Sequence, residues 1–176
     1  GLDEPALLPP NIVLTGPLLK PPVQLQSGIT GDLKVFMEEA LANDEPIFYI
    51  TLGSEVVWQT WYVDAIWEGL KDVKCRLIWS MPTGLPLPDS PKIYSSRWLP
   101  QVEILAHPAV KAGMHQCGFG GTLEFVNAGL PVLCFPHFGD QATDAMNLIE
   151  ARAALSLIAP SLADSRDDDP RYFQFE

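Results

Sequence analysis

Residues 98–141 read WLPQVEILAHPAVKAGMHQCGFGGTLEFVNAGLPVLCFPHFGDQ. The hydrophobic pattern of this segment predicts a strand near Ala112–Gln116, a helix over Thr122–Asn127 and a second strand over Pro131–Phe135. A glycine-rich turn, residues 117–122, joins the first strand to the helix. Strands that alternate with helices are typical of a parallel sheet, because parallel neighbours need a crossover connection.

The same alternation continues on both sides of this segment. The predicted elements are a helix over Asp32–Ala42, a strand over Pro46–Leu52, a helix over Trp58–Leu70, strands over Arg76–Met81 and Lys92–Tyr94, a short helix over Val102–Leu105, a helix that begins after Asp140, and a weak strand over Leu155–Ile158. This pattern predicts an α/β fold: a Rossmann-like parallel sheet with helices on both faces. Ligands of such sheets bind beyond the carboxyl ends of the strands, where we expect Gly53-Ser54, Trp98, residues 118–122 and Asp140-Gln141.

Length and composition indicate one folded domain with flanking segments. The chain has 176 residues, of which 47% are hydrophobic, which is enough for one core and too little for two full-sized domains. Residues 1–30 are rich in proline and predict a linker with one short extended piece, Asn11–Thr15. The domain is predicted over residues 31–162, and the acidic tail over residues 163–176 is predicted to be flexible.

Charge and cysteine usage exclude several classes of protein. With 11 basic and 22 acidic residues, the formal net charge is -11, which disfavours binding to nucleic acid or to anionic lipid. No apolar run is long enough to span a membrane, and residues 1–10 lack the features of a signal peptide. The three cysteines, Cys75, Cys117 and Cys134, are widely spaced and predict reduced thiols, which suggests a cytoplasmic protein.

Two side chains in residues 98–141 suit a nucleoside. Trp98 follows a predicted strand, where an indole face can stack on a flat base, although it could also be a core tryptophan. Glu124 is predicted in the first turn of a helix, where a carboxylate can accept both hydrogen bonds of a ribose diol. The alternative is a glutamate that only favours the helix dipole.

Two further features suit a phosphate and a sugar. The glycine-rich turn before the helix lets backbone N–H groups approach an anion, so an acidic chain can bind a diphosphate through local dipoles; alone, it could be an ordinary helix-breaking loop. Asp140 and Gln141 offer a carboxylate and an amide to neighbouring hydroxyl groups. Asp140 is also expected to cap the helix that follows it.

Together these motifs make residues 98–141 resemble the donor-binding signature of the UDP-glycosyltransferases, glycosyltransferase family 1. Residues 48–54, FYITLGS, and residues 11–17, NIVLTGP, resemble the opening strand and the entering linker of the C-terminal half of these two-domain GT-B enzymes. The resemblance implies that the chain binds a UDP-sugar without a metal or another cofactor. Gln141 favours glucose as the sugar.

The resemblance also implies a role for each matching residue. Trp98 would stack on uracil, the backbone of Leu99 would bond the uracil edge, and Gln101 and Glu124 would contact the ribose. The residues expected at the phosphates are Ser54, His115, Gln116, Gly118, Gly120, Gly121 and Thr122. Asp140 and Gln141 would bind the hydroxyl groups of the sugar.

The sequence departs from the usual family pattern at the predicted phosphate site. Gln116 stands where a phosphate-binding histidine is usual, and Gly120-Gly121 replaces a pair that is often Asn-Ser or Gly-Thr. Diphosphate binding could therefore be weaker, unless His115 or Thr122 compensates. Of the other histidines, His107 is expected to pack or cap, and His137 could lie near the sugar or on an exposed loop.

The resemblance places the catalytic histidine and the acceptor pocket in the N-terminal domain, which this chain lacks. We therefore expect no catalytic residue in this chain, and UDP-sugar binding without transfer. One alternative is a catalytically inactive nucleotide-sugar-binding or partner-binding module. A nicotinamide-dependent enzyme is disfavoured, because no Gly-x-Gly-x-x-Gly motif follows the first strand.

Overall fold

The computed structural model describes residues 9–13, 15, 18, 28–81 and 84–158. The described helices and strands run from Gly31 to Ser156, inside the predicted domain. Of the predicted extended piece Asn11–Thr15, Asn11 lies in a turn, and the other described residues have no regular secondary structure. The predicted tail, residues 163–176, lies outside the described residues.

Strands and helices alternate along the described chain, as predicted. In chain order they are α1 (Gly31–Ala42), β1 (Ile47–Thr51), α2 (Thr60–Leu70), β2 (Arg76–Ser80), β3 (Ile93–Ser96), α3 (Gln101–Leu105), β4 (Val110–His115), α4 (Phe119–Ala128), β5 (Val132–Cys134), α5 (Gln141–Glu150) and β6 (Ala154–Ser156). The largest difference from prediction is α4, which begins at Phe119 instead of Thr122. The glycines indicated a loop, but Gly120 and Gly121 lie inside the helix, whose N-cap is Gly118.

The six strands form one parallel sheet in the order β3-β2-β1-β4-β5-β6. This is the order of a doubly wound sheet, and the direction of winding reverses between β1 and β4. The apolar strand β1 lies between β2 and β4, and four of its five residues are buried. The chain segments that follow β1 and β4 therefore emerge side by side at the carboxyl edge.

Helices cover both faces of the sheet, as predicted, but unequally. One hydrophobic cluster packs α1, α3, α4 and α5 against the face that carries Tyr49 and Ile78. The other packs α2 and neighbouring loops against Ile50, Leu77 and Trp79. Alternate residues of β1 and β2 thus enter different clusters, as the two-residue repeat of a strand requires.

Candidate functional site

The candidate site lies at the carboxyl edge of the sheet, where the loops after β1 and β4 meet. Gly53 has a positive φ of 67°, and a Cβ atom built on it would overlap Nε2 of Gln116. A Cβ on Gly118 would lie 3.0 Å from the same nitrogen. The amide of Gln116 therefore sits between the β1 loop and the start of α4, at the position where doubly wound folds bind ligands.

Trp98 is exposed over 77% of its surface, so the reading of a core tryptophan is wrong. It lies in the loop after β3, and its carbonyl accepts a hydrogen bond from Oγ of Ser96 at 3.1 Å. The next residue, Leu99, is only 8% exposed and packs into the larger hydrophobic cluster. Buried Leu99 anchors the loop and leaves the indole face open.

Gln101 and Glu124 are brought together across 23 residues of chain. Nε2 of Gln101 donates to Oε2 of Glu124 at 2.7 Å, and Oε1 of Gln101 accepts from the hydroxyl of Tyr49 at 3.1 Å. Because α4 begins at Phe119, Glu124 lies in its second turn, and the prediction of a first-turn glutamate is wrong. The carboxylate is thus held by a side chain and not by the first-turn N–H groups.

The start of α4 is an open set of backbone donors. The first helical hydrogen bond runs from the N–H of Thr122 to the carbonyl of Gly118, at 3.0 Å. The N–H groups of residues 119–121 therefore have no partner within the helix. Gly120 is exposed and has no neighbour within 4 Å of a built Cβ position, so an anion can approach the backbone closely.

His115 and Thr122 are buried beneath this helix start. The His115 ring stacks on Phe125 at 4.6 Å between centroids, and its Nδ1 accepts from the N–H of Cys117 at 2.9 Å. Burial lowers the pKa of His115 to about 4, so the ring is neutral at pH 7. Nε2 of His115 and Oγ1 of Thr122 are buried without a hydrogen-bond partner among the described residues. Because Nδ1 accepts, the neutral ring carries its proton on the buried Nε2, and His115 therefore supplies no positive charge at the start of α4.

The Asp140-Gln141 pair divides into an exposed and a buried member. Asp140 occupies the N-cap position of α5, but its side chain makes no capping hydrogen bond, so the expected side-chain cap is absent. Oε1 of Gln141 accepts from the N–H groups of His137 and Phe138, at 2.8 and 3.2 Å. Gln141 thereby shapes the turn before α5, while the Asp140 carboxylate faces solvent.

The remaining polar residues contribute less. His107 accepts a hydrogen bond from the N–H of Ala109 at 3.2 Å, a contact within the loop between α3 and β4. His137 is half-buried against Tyr62 and contacts the carbonyl of Phe135, so it is not an exposed loop histidine. Burial lowers the pKa of both rings. Ser54 is exposed in the β1 loop, and its hydroxyl donates to Glu55.

A cleft of about 670 Å³ lies at the opposite, amino edge of the sheet. Three of the four basic side chains that line it are already engaged: Arg76 pairs with Glu39 and Glu45, Lys71 pairs with Glu68, and Lys92 donates to the carbonyls of Lys71 and Val73. The cleft is therefore a poorer candidate than the carboxyl edge. Among the described residues, no three metal-ligating side chains form a group, and no helix is long and apolar enough to cross a membrane.

Sequence reasoning missed Tyr49 and the contact between Gly53 and Gln116. Tyr49 is one of several hydrophobic residues in a buried strand, and nothing in the local pattern indicates that its hydroxyl bonds to Gln101. Gly53 carried a weak signal, because a glycine after a strand suggests a close approach. The unpaired thiols of the three cysteines, in contrast, are as predicted.

The order of the sheet and the place of the site define the class of protein, a doubly wound α/β domain whose site lies at the switch point of the sheet. The family model "UDP-glucoronosyl and UDP-glucosyl transferase" matches residues 10–167, and the chain belongs to this family. The predicted resemblance is thus confirmed, as is the fold class, since the sheet and its helices are similar to those of GT-B glycosyltransferases.

Relatives and solved structures agree with this assignment. The chain is 30% identical over 166 residues to UDP-glycosyltransferase 84A3 of Arabidopsis thaliana, a match that covers 85% of the chain and 35% of that protein. It is 33% identical over 160 residues to gallate 1-beta-glucosyltransferase of Quercus robur, with 79% of the chain and 31% of that protein covered. The chain thus spans about a third of these relatives.

A similar solved structure is that of a UDP-glucose:anthocyanidin 3-O-glucosyltransferase in complex with UDP. The TM-score is 0.56 at 26% identity, and the match covers 63% of the chain and 27% of the other protein.

Proposed function

We propose that this chain is the donor-binding region of a UDP-glycosyltransferase and binds UDP-glucose for transfer to an acceptor hydroxyl. The observation that carries the proposal is the Gln101–Glu124 pair, held at 2.7 Å at the sheet edge where α4 opens. A carboxylate with one oxygen engaged by an amide retains a second oxygen for a ribose hydroxyl. The names of the relatives, which include glucosyltransferases, support the donor class.

Each part of the ligand has a suitable group in the proposed site. Uracil stacks on the exposed face of Trp98 and bonds the backbone of Leu99, and the ribose diol binds Glu124. The diphosphate lies on the free N–H groups of residues 119–121, opposite Ser54, and Gln116 donates from between the two loops. Asp140 binds the sugar. Gln141 contributes through Nε2, because its Oε1 already accepts two backbone N–H groups.

We also propose that the isolated chain does not transfer the sugar. All three histidines use Nδ1 on the chain's own backbone. Burial lowers the pKa of each ring, outweighing the nearby Glu38 charge at His107, and no aspartate among the described residues hydrogen-bonds to any of the three. This supports a general base and an acceptor pocket in the rest of a longer protein. No metal is expected in the transfer, and the cytoplasmic location remains a prediction from the unpaired thiols.

Calorimetric titration of the purified chain with UDP and UDP-glucose tests the binding proposal. We expect saturable binding that Trp98→Ala and Glu124→Gln each weaken by about tenfold, from losses of about 1 to 3 kcal/mol. Glu150→Gln, at the far end of α5, and Trp67→Ala, at the amino edge beside Lys92, are the matched controls. Unchanged affinity in both site variants would reject the site.

A second candidate is a catalytically inactive nucleotide-sugar-binding module. It is favoured by the neutral Gln116 and the neutral His115 at the diphosphate position, where no cation is found among the described residues that line the α4 start. Joining the chain to the N-terminal region of a relative distinguishes the two. Transfer of glucose to a phenol by the joined protein supports the donor region, and tight UDP binding without transfer supports the module.

A further inference from the structure

A chain of hydrogen bonds connects the middle of the sheet to the candidate ribose carboxylate. Tyr49, in β1, is 1% exposed, and its hydroxyl lies 3.1 Å from Oε1 of Gln101. Nε2 of Gln101 lies 2.7 Å from Oε2 of Glu124. Within the part of the chain that the structure describes, no hydrogen bond reaches the second carboxylate oxygen, Oε1 of Glu124.

The chemistry of the three groups sets the direction of every bond in this chain. An ionised carboxylate only accepts, so Gln101 must turn its NH₂ group toward Glu124. Oε1 of Gln101 then faces Tyr49, which must donate. Burial, followed by the nearby Glu124 charge, raises the pKa of Tyr49 against the opposing hydroxyls of Ser80 and Thr51, so the phenol keeps its proton.

Tyr49 is well placed to act as a rigid anchor. Its strand pairs on both sides, with β2 and β4, and its ring packs against Phe125 at 6.3 Å between centroids. Gln101 opens α3, a helix of 5 residues, and Glu124 lies on α4. Without the phenol, one end of the Gln101 amide would lose its partner, and the amide would be free to rotate away from Glu124.

We propose that Tyr49 is a positioning residue for ribose recognition: it holds the Gln101 amide, which in turn holds the Glu124 carboxylate with one oxygen directed to the ribose diol. Tyr49 itself touches no ligand in this arrangement. The inference rests on the proposed function, because it requires that Glu124 binds the ribose of a UDP-sugar.

The test compares UDP with 2′,3′-dideoxy-UDP, which lacks the hydroxyls that Glu124 would bind. Tyr49→Phe removes one oxygen and keeps the ring contact with Phe125. We expect it to weaken UDP about fivefold and the dideoxy compound less than twofold, since a net hydrogen bond of about 1 kcal/mol corresponds to that loss. Tyr94→Phe, beside Phe36 and outside this chain of bonds, is the matched control and should change neither affinity.

A double-mutant cycle adds a readout that a purely structural role would not change. In a Gln101→Ala background, Tyr49→Phe should have no further effect on UDP affinity, because its partner is gone. Should Tyr49→Phe fail to fold, Gln101→Met interrupts the same bonds outside the sheet and must show the same selective loss for UDP.

The outcomes separate this inference from the proposed function. Equal losses for both nucleotides, or no loss, with saturable UDP binding by the wild-type chain would overturn the role of Tyr49 alone. Absence of UDP binding by the wild-type chain would overturn the proposed function and this inference with it.

Discussion

Gly113 occupies a position in β4 where a methyl group has no room. A Cβ atom there would lie 2.6 Å from Cε1 of Phe125 and 2.6 Å from the backbone oxygen of Tyr49. The oxygen belongs to the neighbouring strand and cannot move without disturbing the sheet. We expect Gly113→Ala to lower the free energy of unfolding by about 1 to 3 kcal/mol, as other overpacked cores do.

Urea denaturation measures this loss. Gly69→Ala is the control, because Gly69 lies in α2 with nothing within 4 Å of the added atom. It should leave stability unchanged or raise it by up to about 1 kcal/mol through helix propensity. Equal stability of the two variants would contradict the packing argument.

His115 makes stability depend on pH. Its pKa is lowered by burial from 6.5 to about 4, so the unfolded chain binds a proton more readily than the folded chain between these values. The stability that depends on the neutral His115 ring is therefore present above pH 6.5 and is lost as the pH falls toward 4. Between pH 7 and pH 5 the contribution of His115 to this loss should be about 2 kcal/mol.

The measurement is urea denaturation at both pH values for the wild type and His115→Asn, whose side-chain oxygen can still accept from the N–H of Cys117. His107 and His137, also with lowered pKa values, remain in both proteins and cancel in the comparison. An identical loss of stability in the two proteins would show that His115 is not buried as a neutral ring.

At the scale of elements, the proposed site depends on Gln116, whose amide lies between the loop after β1 and the start of α4. Gly53 and Gly129 share a φ of 67°. A Cβ atom added to Gly53 would overlap the side chain of Gln116, whereas one added to Gly129 would have no neighbour within 4 Å. Gly53→Ala and Gly129→Ala therefore impose similar backbone strain, about 1 to 2 kcal/mol each. Only Gly53→Ala displaces Gln116, so only this variant should weaken UDP binding, by several-fold.

Calorimetry with UDP, beside a thermal melt of each variant, separates the two effects. Weakened binding in both variants, in proportion to their loss of stability, would mean that strain alone is responsible. A Gln116→Ala substitution should by itself weaken UDP and remove the difference between the two glycine variants.

At the scale of the whole molecule, the formal net charge of -11 repels an anionic ligand. In the proposed site, local N–H groups and helix dipoles supply the attraction. These are little affected by salt, whereas long-range repulsion is screened. We expect UDP affinity to stay within about twofold, or to increase, when salt rises from roughly 50 to roughly 200 mM.

Calorimetry at the two salt concentrations checks this expectation. Arg97 is the cation beside Trp98 in the sequence, and Arg97→Gln should leave the salt dependence unchanged. A tenfold loss of affinity at the higher salt, abolished in Arg97→Gln, would show that a cationic side chain and not the helix start binds the diphosphate.

Much of this protein could be predicted from local patterns. The order of strands and helices follows from periodicity within each segment, because a buried parallel strand and an amphipathic helix impose different repeats on adjacent residues. The family was likewise accessible from local sequence, because residues 98–141 resemble its donor-binding signature. The start of α4 was predicted three residues late, because glycines weaken a local helix signal that tertiary packing overrides.

Only the tertiary structure decided which distant residues meet. The sheet order places β1 beside β4, and this brings Gly53 under Gln116 and Tyr49 to Gln101, which is 52 residues away. Packing of the elements also buries His115 as a neutral ring and leaves Trp98 exposed. The residue types alone do not distinguish these two environments. Local sequence encodes the repeat of each element, whereas contacts, burial and pKa values depend on how the elements pack together.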